Sequence, residues 1–218
     1  MILIPNLAEK LVATLPSGLS DLFNPWVDPC SGDTQFNSPQ DRLGRLAQHF
    51  ATEPQFLLVG EASGYLGMRR SGLAFTSERL LLEGGIPRVS TPMGRLTTRK
   101  LSYSEPSATI VWRTLRALGI AEKTVIWNAL PMHPFKAGNP DSNRTPTDAE
   151  LLLGAPALRL LADAFPRTQI VAVGRKAEGL LDHMGIPITG RARHPANGGA
   201  TQFAADLAAL MAMSRPLA

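Results

Sequence analysis

The chain has 218 residues, long enough for one sizeable hydrophobic core and short for two. Hydrophobic residues make up 44% and charged residues 18%, the balance of a soluble globular protein rather than a disordered one. A formal net charge of +4 favours a polyanionic partner, and the single cysteine, Cys30, excludes an intrachain disulfide, an all-cysteine zinc site and a four-thiolate iron–sulfur cluster.

The first residues, MILIPNLAEKLVATL, show no basic n-region and no small-residue cleavage site, and no apolar run reaches membrane-spanning length. A cytoplasmic protein with no membrane association is expected. Residues 1–40 carry no pattern that assigns them a role and read as an extension of a single domain spanning 1–218. Ser38-Pro39 opens a helix, with Pro at its first position and Leu43, Leu46, Ala47 and Phe50 on one face. A short apolar run, QFLLV at 55–59, predicts the first strand, and the glycine-rich stretch GEASGYLGMRRSG at 60–72 follows it directly. The segment RVSTPMGRLTTRK at 88–100 carries Arg88, Arg95, Arg99 and Lys100 without an acid, which fits either a solvated loop or a phosphate-contacting one.

Further along, Val111, Leu115 and Leu118 stripe a helix that Gly119 terminates. KTVIW at 123–127 predicts the second strand, closing at Asn128 in the loop NALPMHPF. Thr147-Asp148-Ala149-Glu150 is a capping box. QIVAV at 169–173 predicts the third strand, and the helix after Gly174 buries Ala177, Leu180, Leu181 and Met184 before closing at Gly185. IPIT at 186–189 makes a weaker fourth strand, because Pro187 suits only an edge or a strand start. The last helix buries Phe203, Leu207, Leu210 and Met211. Strands alternating with helices predict an α/β fold, a three-layer α/β/α sandwich around a mainly parallel four-stranded sheet.

Such a sheet concentrates function at the carboxyl ends of its strands. The loop at 60–72 lacks the Lys-Ser/Thr of a phosphate-cradling loop and the spacing of a dinucleotide fingerprint. Asn128 either caps a turn or presents one donor and one acceptor to a complementary edge such as a nucleobase. His194, before a Pro and a Gly pair in RHPANGG, is structural, solvated or catalytic on composition alone.

Taken together, GEASGYLG with the downstream SGLAFTS, then NALPMHP, then RHPANGG resemble in order and spacing the motifs of the uracil-DNA glycosylase superfamily. The resemblance covers roughly residues 55–205. It implies a monofunctional DNA glycosylase of base-excision repair; relatives with a GEAPG first motif usually carry a four-cysteine cluster, which the single Cys30 excludes, so a cluster-free monomer without cofactor or metal is expected. Such an enzyme flips uracil from single- or double-stranded DNA and hydrolyses its bond to the sugar. It implies that Phe75 stacks on the base, that Asn128 reads the pyrimidine edge, and that His194 donates to the oxygen that gains charge as the base departs. Ala62 and Ser63 of the first motif are implied to line the substrate site.

The first motif departs from the best-known branch, which has an Asp where Ala62 stands; Glu61 instead resembles the branches with a GEAPG motif, where an acid at this place is linked to water positioning. Ser63 replaces the Pro of that motif. Glu61 is therefore the first candidate to position water and His133, beside Asn128, the second. Where the best-known branch sets a Tyr against the pyrimidine 5-position this chain has Gly64, which leaves room for larger deaminated bases such as xanthine or hypoxanthine. Arg69, Arg70 and Ser71 in the first loop, Arg175 and Lys176 at a helix start, and Asn197 in the last loop are the expected DNA contacts. No His occurs within 65–75, so a covalent link through an inserted-loop histidine is not expected. The competing expectation is a catalytically impaired module that binds deaminated bases in DNA.

Overall fold

The computed structural model describes residues 6–213. Eight α-helices and six short or regular strands follow in the described residues. Helix α1 (Leu7–Ala13) precedes a two-residue strand β1 (Leu22–Phe23) and α2 (Pro39–Phe50). Strand β2 (Phe56–Ala62) then leads into α3 (Met68–Ser71), α4 (Glu78–Leu82) and α5 (Pro106–Ala117). A 3-10 turn at Ala121–Lys123 enters β3 (Thr124–Leu130), followed by β4 (His133–Pro134) and α6 (Asp148–Ala164). The chain finishes with β5 (Gln169–Val173), α7 (Arg175–His183), β6 (Gly190–Ala192) and α8 (Ala200–Met213).

Strands β3, β2, β5 and β6 pair in that order as a four-stranded parallel sheet flanked by helices. The central strands are buried on both faces, so β3 (TVIWNAL) is buried throughout and apolar except for Thr124 and Asn128. The chain leaves β2 to one side for β3 and returns to its other side for β5. The crevice at the carboxyl end of β2 is thus the switch point where such sheets place ligands.

Three strand expectations hold, and the structure lengthens two of them. β2 and β3 continue past Val59 and Trp127, so that Gly60 pairs with Asn128 and Ala62 with Leu130. Asn128 therefore stands inside a ladder rather than capping a turn. The fourth strand is corrected: residues 186–189 form none, and the pairing with β5 runs from Gly190 to Ala192. Pro187 lacks the N–H a ladder needs, which moves the strand past it. The Thr147–Glu150 and Ser38–Asp41 capping boxes both form.

Helix α2 buries a different face from the one its apolar pattern suggests. Ala47 is exposed, while Arg42, Arg45 and His49 are buried beside Leu46 and Phe50. Arg42 donates to the Asp33 carboxylate at 2.6 Å and to the Pro25 and Asn37 carbonyls. Arg45 donates to the Ser71 carbonyl at 2.8 Å and to the Asn37 side chain. These bonds give the residues before α2 their place: they strap the N-terminal segment and α3 onto one helix. Trp26 stacks on Trp127 at 5.5 Å and donates its indole N–H to the Gly72 carbonyl at 3.2 Å. Phe23 lies under the Arg69 guanidinium, 3.9 Å from it. Phe23, Trp26 and the residues around them thus buttress the turn that follows β2. Among the described residues, no helix is long and apolar enough to cross a membrane.

Candidate active site

A groove of about 1350 Å³ opens at the carboxyl ends of β2, β5 and β6. Its walls include Glu61, Ala62, Ser63 and Gly64 from the first loop, and Gly174, Arg175 and Lys176 from the start of α7. Arg193, His194, Ala196 and Asn197 close it from the last loop. Loops more than a hundred residues apart in sequence meet there because parallel strands deliver all their carboxyl ends to one edge.

Phe75 and Asn128 sit against Gly60 near the carboxyl end of β2, 6% and 2% exposed. Gly60 separates them. A Cβ at Gly60 would lie 2.5 Å from Asn128 Oδ1 and 2.5 Å from Phe75 Cε2, so only glycine lets both side chains close on the same backbone. Phe75 adopts φ +47°, in the left-handed region that disfavours side chains. Trp112 holds it there by donating its indole N–H to the Phe75 carbonyl at 3.0 Å. Strain of this kind costs on the order of 1 kcal/mol and marks a ring whose direction is fixed by its surroundings. The Phe75 ring meets the His194 ring at 5.4 Å. Asn128 donates only to the Met68 thioether, at 3.1 Å, so its amide keeps unspent hydrogen-bonding capacity in a buried place.

His194 accepts a hydrogen bond at Nδ1 from the Ala196 amide, at 3.1 Å. That contact puts the proton of a neutral imidazole on Nε2. Burial lowers the pKa of His194 below its ordinary value, so the neutral ring with a donor Nε2–H is the form present at neutral pH. Glu61 is half-buried on the groove wall, and burial raises its carboxyl pKa against the opposing pull of Lys176. The Ser63 hydroxyl is buried with no protein partner. Lys176 and Arg175 stand on the first turn of α7, and Lys176 pairs with the exposed Asp148 at 2.7 Å.

His133, the second candidate to position water, lies apart from the residues that line the groove. The residue is fully buried, and both ring nitrogens are engaged: Arg69 donates to Nδ1 at 3.0 Å, while Nε2–H donates to the Ser142 carbonyl at 2.8 Å. Burial, with Arg69 beside it, lowers its pKa to about 3, so it remains a neutral structural link between α3 and the 142–143 turn.

Arg69, Arg70 and Ser71, the expected phosphate contacts of the first loop, are turned inward by α3 and buried. Arg69 is held between Phe23 and Phe135. Arg70 pairs with Asp141 at 2.6 Å and with Cys30 and Tyr103. The Ser71 hydroxyl bonds the Leu73 backbone. Two members of the basic run are also structural: Arg95 pairs with the buried Glu78 at 2.7 Å, and Arg88 donates to the Glu122 and Thr124 carbonyls. Arg175, Lys176 and Asn197 do reach the groove. The structure adds residues the sequence did not single out, among them Glu105 and Asn143 beside the first loop and Arg193 in the last.

An aromatic ring, a buried amide and a neutral imidazole thus gather near the switch point of a parallel α/β sheet. The family model of the uracil DNA glycosylase superfamily matches residues 47–216, and the chain belongs to that superfamily of DNA glycosylases. Its fold is similar to the crystal structure of wild-type SMUG2 from Pedobacter heparinus. The TM-score is 0.57 at 15% sequence identity, and the match covers 95% of this chain and 96% of the other. No curated protein sequence matches the chain.

Proposed function

We propose that this chain, acting as a single-domain monomer, excises uracil from DNA and leaves an abasic site. The observation that carries the reading is the buried Asn128 amide, short of partners and pressed against Phe75 across Gly60. Uracil offers an acceptor at O4 beside a donor at N3, which one side-chain amide satisfies with its own donor and acceptor. Cytosine reverses that pair and would leave both groups unmet, at a cost of about 1–3 kcal/mol each. The uracil ring stacks on Phe75, and the His194 Nε2–H donates to O2.

Cleavage breaks the bond from the sugar C1′ to N1 and sends its electron pair into the base. Negative charge then builds on O2, where the His194 donor stands, and positive charge builds on the sugar. Water attacks C1′ and its proton passes to the Glu61 carboxylate, which also offsets the charge on the sugar. The Ser63 hydroxyl and the N-terminal turn of α7, with Arg175 and Lys176, hold the backbone of the flipped strand. Xanthine presents the same sequence of O6, N1–H and O2 that uracil presents as O4, N3–H and O2, so the same residues accept it. The competing reading, a module that binds such bases without cleaving, draws on Ala62, which brings no polar atom to the first motif.

The test is to incubate excess protein with single- and double-stranded oligonucleotides carrying one uracil and to score alkali-labile sites. Strand breaks confined to the uracil position are expected. Selective binding without breaks would favour the module, and neither binding nor breaks would overturn both readings.

A further inference from the structure

Arg88 and Arg95 of the basic run are engaged by the fold, but Arg99 is not. Its exposed guanidinium makes no ion pair among the described residues and lies over the Tyr103 ring, 4.8 Å from the centroid. Arg99 lines a second cavity, of about 360 Å³, together with the buried Arg69 and Arg70. Ser31, Thr98 and Tyr103 bring hydroxyl-bearing side chains to the same wall. This cavity adjoins the groove without being part of it. Tyr103 and Asp141 line the cavity, while Glu105 and Asn143, two residues further along each segment, line the groove.

Three guanidiniums share this space with one carboxylate, that of Asp141. Arg69 is held by uncharged groups, the Phe23 and Phe135 rings and the neutral His133. Arg70 lies over the Tyr103 ring at 4.9 Å and donates to Asp141 Oδ1 at 2.6 Å and to Cys30 Sγ at 2.7 Å. The Nε atoms of Arg69 and Arg70 are buried without a partner. Asp141 is a loose counter-charge, for its side chain is 58% exposed where that of Arg70 is 5% exposed. A buried guanidinium is best matched by an oxyanion that meets its planar fork with two N–H bonds, as a phosphate does. Asp141 offers Arg70 a single contact.

We infer that this cavity is a phosphate-binding site, in which Arg70 and Arg99 hold the oxyanion and Asp141 keeps its place in the empty protein. Tyr103 fixes the direction of both guanidiniums by stacking with them, so little side-chain freedom is lost when the phosphate enters. The Asp141 carboxylate, on an exposed turn, swings out to solvent as the phosphate takes its bond to Arg70. Two sources present the same chemistry. One is a phosphodiester of the strand whose flipped nucleotide occupies the adjoining groove, which gives DNA a second hold besides Arg175 and Lys176. The other is free inorganic phosphate. The first source rests on the glycosylase reading, and the second does not.

Cys30 reports on the cavity directly: it is the only cysteine, lines the cavity and is bonded to Arg70. Its alkylation by neutral iodoacetamide is timed in chloride, in inorganic phosphate and with undamaged duplex, all at one pH and ionic strength. Anisotropy reports duplex binding, and its salt dependence is measured for the wild type, Arg99→Ala and Arg167→Ala. Arg167, exposed before the amino end of β5, controls for loss of a charge far from the site. Alkylation is expected to slow roughly tenfold once phosphate or duplex reaches ten times its dissociation constant, and Arg99→Ala is expected to lose that protection. Asp141→Asn is expected to lower the phosphate concentration for half-protection by about threefold, the weight of one exposed ion pair. Protection by duplex alone, with a salt slope that falls by about 0.9 in Arg99→Ala and not in Arg167→Ala, assigns the site to the strand. Protection by inorganic phosphate with an unchanged slope assigns it to the free ion. Equal alkylation rates in all three solutions with duplex bound overturn the site. So does duplex protection that persists in Arg99→Ala with an unchanged slope, since that is shielding by the bound strand. A wild type that releases no uracil overturns the glycosylase reading and leaves the inorganic-phosphate result to decide this site by itself.

Discussion

Replacing Gly60 with alanine places one methyl group where the structure has no room for it. The new Cβ would stand 2.5 Å from both Asn128 Oδ1 and Phe75 Cε2, whereas unstrained contacts begin near 3.5 Å. Each neighbour must therefore retreat by about 1 Å. The backbone at Gly60 is not in the left-handed region, so the cost is overpacking alone, roughly 1–3 kcal/mol of stability. The protein should still fold. A 1 Å misplacement of groups that orient a substrate costs on the order of a hundredfold in rate. We therefore expect Gly60→Ala to release uracil about a hundredfold more slowly in single turnover, with a cooperative urea transition and unchanged affinity for undamaged duplex. Wild-type uracil release by a folded Gly60→Ala protein would refute the claim that Asn128 and Phe75 together form the base seat.

Three further outcomes are expected. Glu61→Gln should slow uracil release by about a hundredfold to ten-thousandfold while uracil-containing DNA still binds, and an unchanged rate would remove Glu61 as the water activator. Glu105→Gln should stabilise the protein above pH 7: the folded carboxyl holds its proton to about 7 and the unfolded one only to its ordinary 4.5. Stability from that group is thus complete below 4.5 and lost as pH rises through 7, at most about 3 kcal/mol. Urea midpoints of the two proteins should coincide at pH 4.5 and diverge at pH 8; coincidence at both would show that the carboxyl is not isolated. Replacing Arg175 and Lys176 with alanine should weaken duplex binding and lower the slope of log affinity against log salt by about 0.9 for each side chain that meets a phosphate. An unchanged slope would move the DNA path away from α7.

The parts of the candidate site that are legible in the sequence are those delivered by strand ends. Asn128, His194 and Glu61 each lie at or near the carboxyl end of an apolar run, and parallel pairing brings such ends together whatever lies between. What was hidden depends on side-chain direction. Arg69 and Arg70 look like surface charges in a glycine-rich loop, but one turn of helix at Met68–Ser71 points them at Phe23, Tyr103 and Asp141, partners far away in sequence. Arg42 and Arg45 are buried for the same reason, since Asp33 and Asn37 from the preceding segment neutralise and solvate them. The role of the segment around Phe23, Trp26 and Asp33 is not readable from the sequence because it consists of such contacts. Glu105 looked like an ordinary residue before a helix-starting proline; only the absence of side chains at Gly64 and Gly67 admits its carboxyl to the first loop.

The central claim is that a buried amide at the end of β3 reads uracil for cleavage. The most direct measurement is single-turnover uracil release from duplex DNA by the wild type and by Asn128→Ala, with binding to undamaged duplex followed in parallel. The account predicts release by the wild type, a fall of a hundredfold or more in the variant, and equal binding to undamaged duplex. Equal uracil release by the two proteins would contradict it, as would a wild type that releases no uracil.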